Sequence, residues 1–189
     1  ETDDDISLQI GRMYYDAGRP DMLEKRLEKL SNQTKSWDKK LRYAVMYHQW
    51  LSDSDRAREL ILEAYEETKG DVTAMVDIAT LLDRVGGRDQ ALEILNEVEL
   101  MDTNYKQRIN IANTYYLMNE DSIAMMKFEE LNNENNADGQ VVGGLLSVYE
   151  RMGKYDKALE TVEQWLKLHP QDDQAKSKKQ MYESMLITG

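Results

Sequence analysis

The sequence contains no cysteine. That one absence removes disulfides, zinc–thiolate sites and thiol catalysis together. It fits a cytoplasmic protein and a cysteine-poor bacterial periplasm equally well. Histidine is scarce, with only His48 and His169. They stand far apart in the chain, in no metal-ligand spacing, so neither a metal site nor a cofactor site is expected. Positive charge is also short, and the net charge is −12. A chain with that balance is not expected to bind nucleic acid in bulk, which requires cations to displace condensed counterions. No apolar run approaches the ~18 residues of a membrane helix, so this segment is not expected to insert in a bilayer, and no secretory h-region opens it. Glu1 stands where an initiator methionine would, as expected of a processed protein or an excised domain.

Proline is nearly absent too, with only Pro20 and Pro170, and β-branched runs are few. What remains is helical in pattern. Met75, Ile78, Ala79, Leu82 and Val85 fall three and four apart. Gly86-Gly87 then breaks the stripe, as glycine does at a helix C-terminus. Ala91, Ile94, Leu95 and Val98 start a second stripe, and Asp71 precedes the first as a candidate N-cap. The segment predicts a helical hairpin with a tight turn. Asp3–Asp5 are expected to favour the N-terminus of the first helix of the chain.

The hairpin recurs. "DRVGGRDQAL" at 83–92 and "ERMGKYDKAL" at 150–159 are two visible copies. Aligning on the residue that opens each second helix gives Leu23, Ala57, Ala91, Ala124 and Ala158, at intervals of 34, 34, 33 and 34. Five units result: 4–37, 38–71, 72–104, 105–138 and 139–172. Ser52 and Asn119 replace the turn glycine in the second and fourth. Small residues at the aligned position let paired helices approach, and Tyr14, Tyr115, Phe128 and Tyr149 are expected to fill the space between hairpins. A single hairpin cannot bury its apolar face alone, so units must stack. Residues 173–187 carry a narrower stripe of Ala175, Lys178, Tyr182 and Met185, read as a C-terminal capping helix, with a truncated sixth unit as the alternative.

A 34-residue helix-turn-helix period is that of the tetratricopeptide repeat. The chain resembles that family over nearly its whole length, which makes residues 1–189 a single array. Leu145, Tyr149, Gly153, Tyr155, Ala158 and Pro170 stand where the family pattern has Leu, Tyr, Gly, Tyr, Ala and Pro. Ile10-Gly11, Tyr14 and Gly18 match in the first unit, whereas Leu23 departs from the family alanine. The resemblance implies an all-α fold: an α-α superhelix, or solenoid, of five hairpins plus the capping helix.

It also implies where a ligand sits. In the family, first helices line a concave wall. Carried over, that wall takes in Arg12, Tyr15, Lys39, Arg42, Tyr43, Met46, Trp50, Asp77, Arg84, Asn110, Asn113 and Tyr116 as candidate peptide-binding residues. Arg151 and the glycine pair Gly143-Gly144 fall on it as well. Arg12, Lys39 and Arg42 lie among Tyr15, Tyr43 and Trp50 in an otherwise acidic chain. Such a groove suits a peptide with carboxylate groups, held by paired hydrogen bonds and aromatic faces. The contrary reading pairs these cations with neighbouring acids on a solvated face. The Lys-then-Asn clamp of chaperone-binding members is missing: the second unit has Arg42 and Met46, the fourth Ile109 and Asn113.

The resulting expectation is a protein-interaction scaffold without catalytic residues, cofactor or metal. Two alternatives stand beside it. One is an accessory domain of a larger bacterial enzyme or lipoprotein, membrane-associated in some versions. The other is a self-association module, giving a homo-oligomer.

Overall fold

Five residues set the fold's rhythm. Gly18, Ser52, Gly86, Asn119 and Gly153 all take left-handed backbone, with φ of 62°, 56°, 83°, 60° and 68°. They recur at the predicted intervals, and each ends the first helix of a hairpin. Ser52 and Asn119 therefore keep the turn although they lack glycine's freedom there. A computed structural model describes the backbone of residues 3–188 and the side chains of residues 9–187. The side chains of Asp3–Asp5 lie outside the described residues.

The described backbone is all helical. The first helices are α1 (Asp3–Asp16), α3 (Trp37–Leu51), α5 (Val72–Arg84), α7 (Tyr105–Leu117) and α9 (Gly139–Arg151). The second helices are α2 (Pro20–Gln33), α4 (Ser54–Thr68), α6 (Arg88–Glu99), α8 (Asp121–Glu134) and α10 (Tyr155–Leu168). α11 (Asp173–Thr188) follows. Pro20 opens α2, where its missing N–H costs nothing. Asp71 accepts hydrogen bonds from the backbone N–H of Thr73 and Ala74, as its candidate role requires. Asn104 and Gln107 form a reciprocal capping box, and Asp138 accepts from Gln140 and Val141. Asp172 accepts from Ala175. These caps repeat in phase, so α11 begins where a further first helix would.

The helices gather into two compact units, residues 1–101 and 102–189. In the first, α1 to α6 pack in chain order. Leu23, Ala57 and Ala91 are fully buried at their shared position. α3 buries Lys40, Tyr43, Ala44 and Tyr47, one helical stripe, with Met46 at its edge. In the second unit, Ala124 and Ala158 are fully buried, with Tyr115, Phe128 and Tyr149 in the core. Tyr14, by contrast, is only half-buried. α9 runs straight through Gly143 and Gly144. Gly144 lies directly against Phe128, while Gly143 faces open space.

α11 caps the second unit through two residues. Ala175 and Tyr182 are buried, Tyr182 completely. The Tyr182 ring stacks on Tyr155 at 6.4 Å, and its hydroxyl donates to Glu150. Met185, placed on this stripe from sequence, is 44% exposed. The contact needs only one turn in two, so the stripe is narrower than the pattern suggested.

The strained turn makes a direct prediction. Ser52→Gly relieves a left-handed L-residue and should stabilise the chain by about 1 kcal/mol. Asn119→Gly should give no gain, because Asn119 tolerates this backbone and its side-chain oxygen accepts from Arg151 at 3.2 Å. Urea unfolding midpoints of the two variants would separate these outcomes.

Candidate functional site

The predicted wall residues divide by burial. Arg12, Tyr15, Arg42, Asp77, Arg84, Asn110 and Asn113 are exposed, and Lys39, Trp50 and Tyr116 are half-buried. Tyr43 and Met46 are buried, at 5% and 3% exposure, and do not line an open wall. The reason is the width of the buried stripe on α3. That helix lies between α2 and α4 and turns both residues inward. Met46 is thus a core methionine, while Met13, Met126, Met181 and Met185 are exposed.

Three features organise the first unit. Tyr15 of α1 stacks on Trp50 of α3, with ring centroids 6.0 Å apart. Gly11 permits this, because a Cβ there would stand 3.3 Å from the Trp50 ring. Arg12 has a loose ion pair with Asp16 at 3.8 Å, fully in solvent terms a surface contact. Lys40, the neighbour of the predicted Lys39, is the buried cation. Its ammonium donates to Glu67 at 2.8 Å and pairs with Glu63 at 3.0 Å. The Glu67 hydrogen bond raises the lysine above its ordinary range, although burial opposes it. Lys40 therefore ties α3 to α4, with two of its three donors engaged there.

The third feature is a cavity of about 370 Å³ between α3 and α5. Val45, Leu81 and Val85 provide apolar surface, and His48, Gln49 and Arg84 surround it. His48 is half-buried, and its Nδ1 lies 3.0 Å from the Ser54 hydroxyl, which gives that ring nitrogen a partner within the fold. Arg84 ends α5 with its guanidinium exposed. Sequence reasoning placed Arg84 on the wall but missed the apolar surface beside it. Val45 was the available signal: it is larger than the small residues found at that position in units one, three and four.

In the second unit Arg151 and Tyr116 are committed to each other. The Arg151 guanidinium lies 3.7 Å from the Tyr116 ring centroid. It donates to the Tyr116 carbonyl at 2.6 Å, to Asn119 and to Asp121. This clamp joins hairpins four and five and covers one aromatic face predicted for a ligand. Asn110 and Asn113 stay exposed on α7. Gly143 leaves open space beside Ser147, whose hydroxyl donates to the Gly143 carbonyl at 2.9 Å. His169 stacks on Trp165 at 3.7 Å at the end of α10. Among the described residues no group of three or more His, Asp or Glu is placed to hold a metal ion.

A family model of the tetratricopeptide repeat matches residues 143–174, which span most of α9, α10 and the start of α11. No curated relative matches the chain. Solved structures share its fold. The C-terminal part of a TPR repeat-containing protein from Cytophaga hutchinsonii is 17% identical, with a TM-score of 0.59 over 95% of this chain and 71% of that one. A tetratricopeptide repeat protein from Parabacteroides merdae is 13% identical, with a TM-score of 0.57 over 96% and 73%. The protein MamA is 17% identical, with a TM-score of 0.53 over 79% and 81%. At such identities the likeness concerns the fold alone. Residues 143–174 thus match a tetratricopeptide repeat, and the chain shares its fold of stacked helical hairpins with solved proteins of that kind.

Proposed function

We propose that this protein is an interaction scaffold that grips a segment of a protein partner along its first helices. The observation that carries this reading is the α3/α5 cavity. It combines an apolar surface of Val45, Leu81 and Val85 with the exposed Arg84 guanidinium and the Gln49 amide. A few polar groups beside apolar surface is the usual composition of a recognition site. A guanidinium there suits a carboxylate, which it can hold in a bidentate fork. The partner segment thus carries an apolar side chain next to Asp, Glu or a terminal carboxylate. The Tyr15–Trp50 stack and Arg42 extend the same apolar and basic character on α1 and α3. No catalytic step belongs to this reading.

Selection from a displayed random-peptide library tests it. Wild type should enrich acidic residues adjacent to Leu, Ile, Val or Phe. Arg84→Glu should weaken the selected peptides at least tenfold, about 1.4 kcal/mol, and leave the helical circular dichroism unchanged. Equal affinity of wild type and Arg84→Glu at low salt would sink the basic-pocket reading.

A further inference from the structure

The second helices of hairpins four and five enclose a separate opening. It measures about 260 Å³ and lies between α8 and α10, with Leu145 and Tyr149 of α9 contributing to its lining. Small-molecule pockets run to ~300–1,000 Å³, so this cleft is sized for one side chain. Its chemistry is the reverse of the α3/α5 cavity. Glu129 accepts from the Tyr149 hydroxyl and the Lys157 ammonium, both at 2.7 Å and both on the same carboxylate oxygen, Oε1. Lys157 is the one cation among the described lining residues, and Glu129 has engaged it. Glu160 is exposed, and its contact within the cleft is a long 3.4 Å bond from the Gln164 amide. The side-chain oxygen of Asn132 is buried and accepts no hydrogen bond. A buried acceptor without a donor costs about 1–3 kcal/mol. The lining therefore holds a buried acceptor without a donor and, with two carboxylates against one ammonium, a surplus of negative charge.

We propose that this cleft is a second recognition site, which receives the guanidinium of an arginine side chain from a protein partner. A guanidinium carries five N–H donors in one plane, enough to serve the open Glu129 oxygen, Glu160 and Asn132 together. Its stem is apolar and packs against Leu145, as arginine stems do on apolar surfaces. A lysine ammonium is compact and more strongly hydrated, so it gives up more on leaving water. Burial works against the Glu129 charge, but Lys157 and Tyr149 hold its carboxyl below the ordinary range, so the acceptor is ionised at neutral pH. The site is independent of the α3/α5 reading, because it uses none of those residues.

The test is peptide-library selection on the whole chain, with three variants run in parallel. Glu160→Gln removes one acceptor charge from the cleft at an exposed position. Glu130→Gln, exposed on α8 outside the cleft lining, removes the same charge as a control. Arg84→Glu reports on the other site. Wild type should enrich arginine over lysine in a class of peptides. Those peptides should bind Glu160→Gln at least fivefold more weakly, and Glu130→Gln and Arg84→Glu within twofold of wild type. Backbone NMR shifts on adding one such peptide should centre on Asn132, Tyr149 and Gln164. Three results would overturn the proposal: no arginine enrichment, equal enrichment of lysine, or equal weakening by Glu130→Gln, which would indicate diffuse acidic attraction.

Discussion

Tyr182→Ala should cost about 3–5 kcal/mol in the anchoring of α11, the range for deleting a buried aromatic ring. Tyr182 is completely buried, and Ala175 is the only other buried residue among the described side chains of that helix. Helix α11 is otherwise half-wetted and lysine-rich, and an isolated helix of this length is marginal in water. The ring thus decides whether α11 docks. Repeat arrays open in parts, so hydrogen exchange at α11 is the direct measurement, with urea unfolding beside it. A loss below 1 kcal/mol by both would rule out Tyr182 as the anchor. Tyr182→Phe separates the hydroxyl from the ring. It removes the bond to Glu150 and should cost about 1.5 kcal/mol. The difference depends on pH. Burial pushes the Glu150 carboxyl up, but the Lys178 ammonium and the Tyr182 hydroxyl together bring it below its ordinary range. A carboxyl lowered on folding adds stability above its unfolded pKa of about 4.3 and loses it as pH falls through the folded value. The deficit of Tyr182→Phe should therefore shrink in acid below about pH 4.

The same substitution at two adjacent glycines should have opposite signs. At Gly144 an added Cβ would stand 2.4 and 2.5 Å from two carbons of the Phe128 ring. That ring is fully buried. Gly144→Ala should destabilise by about 1–3 kcal/mol through overpacking. At Gly143 a Cβ meets nothing within 4 Å. Gly143→Ala should stabilise α9 by about 1 kcal/mol, the helix-propensity difference. Combining Gly144→Ala with Phe128→Leu should recover part of the loss, because the two positions share one space. Urea midpoints of these three variants, with Phe128→Leu alone as the reference, test this. Equal signs at 143 and 144 would mean that α8 and α9 are not in such close contact. Gly143 and Gly144 stood as one ambiguous pair in the sequence, and only the facing helix distinguishes them.

Much of the fold was legible because its determinants are local. The left-handed turn is a property of single residues, and its recurrence from Gly18 to Gly153 could be read even through Ser52 and Asn119. Leu23 and the four aligned alanines are fully buried, as their spacing required. The candidate site was legible only by position. The family resemblance placed Tyr43 and Met46 on the wall, but which residues of α3 turn inward depends on how neighbouring helices cross. It singled out Lys39 as a wall cation, while the adjacent Lys40 is the one that turns inward to Glu63 and Glu67. The acidic cleft left no trace in the pattern, since its lining comes from three helices.

The sequence by itself determined the hairpin, its period and the places where chains of small residues let helices meet. Those depend on one residue's backbone freedom or on neighbours three and four apart. Tertiary structure alone decided which polar side chains remain available to a partner. Lys40 finds Glu67 across 27 residues, Lys157 finds Glu129 across 28, and Arg151 reaches Tyr116 across 35. Such pairings form only once hairpins stack, because stacking brings together charges that no local spacing relates.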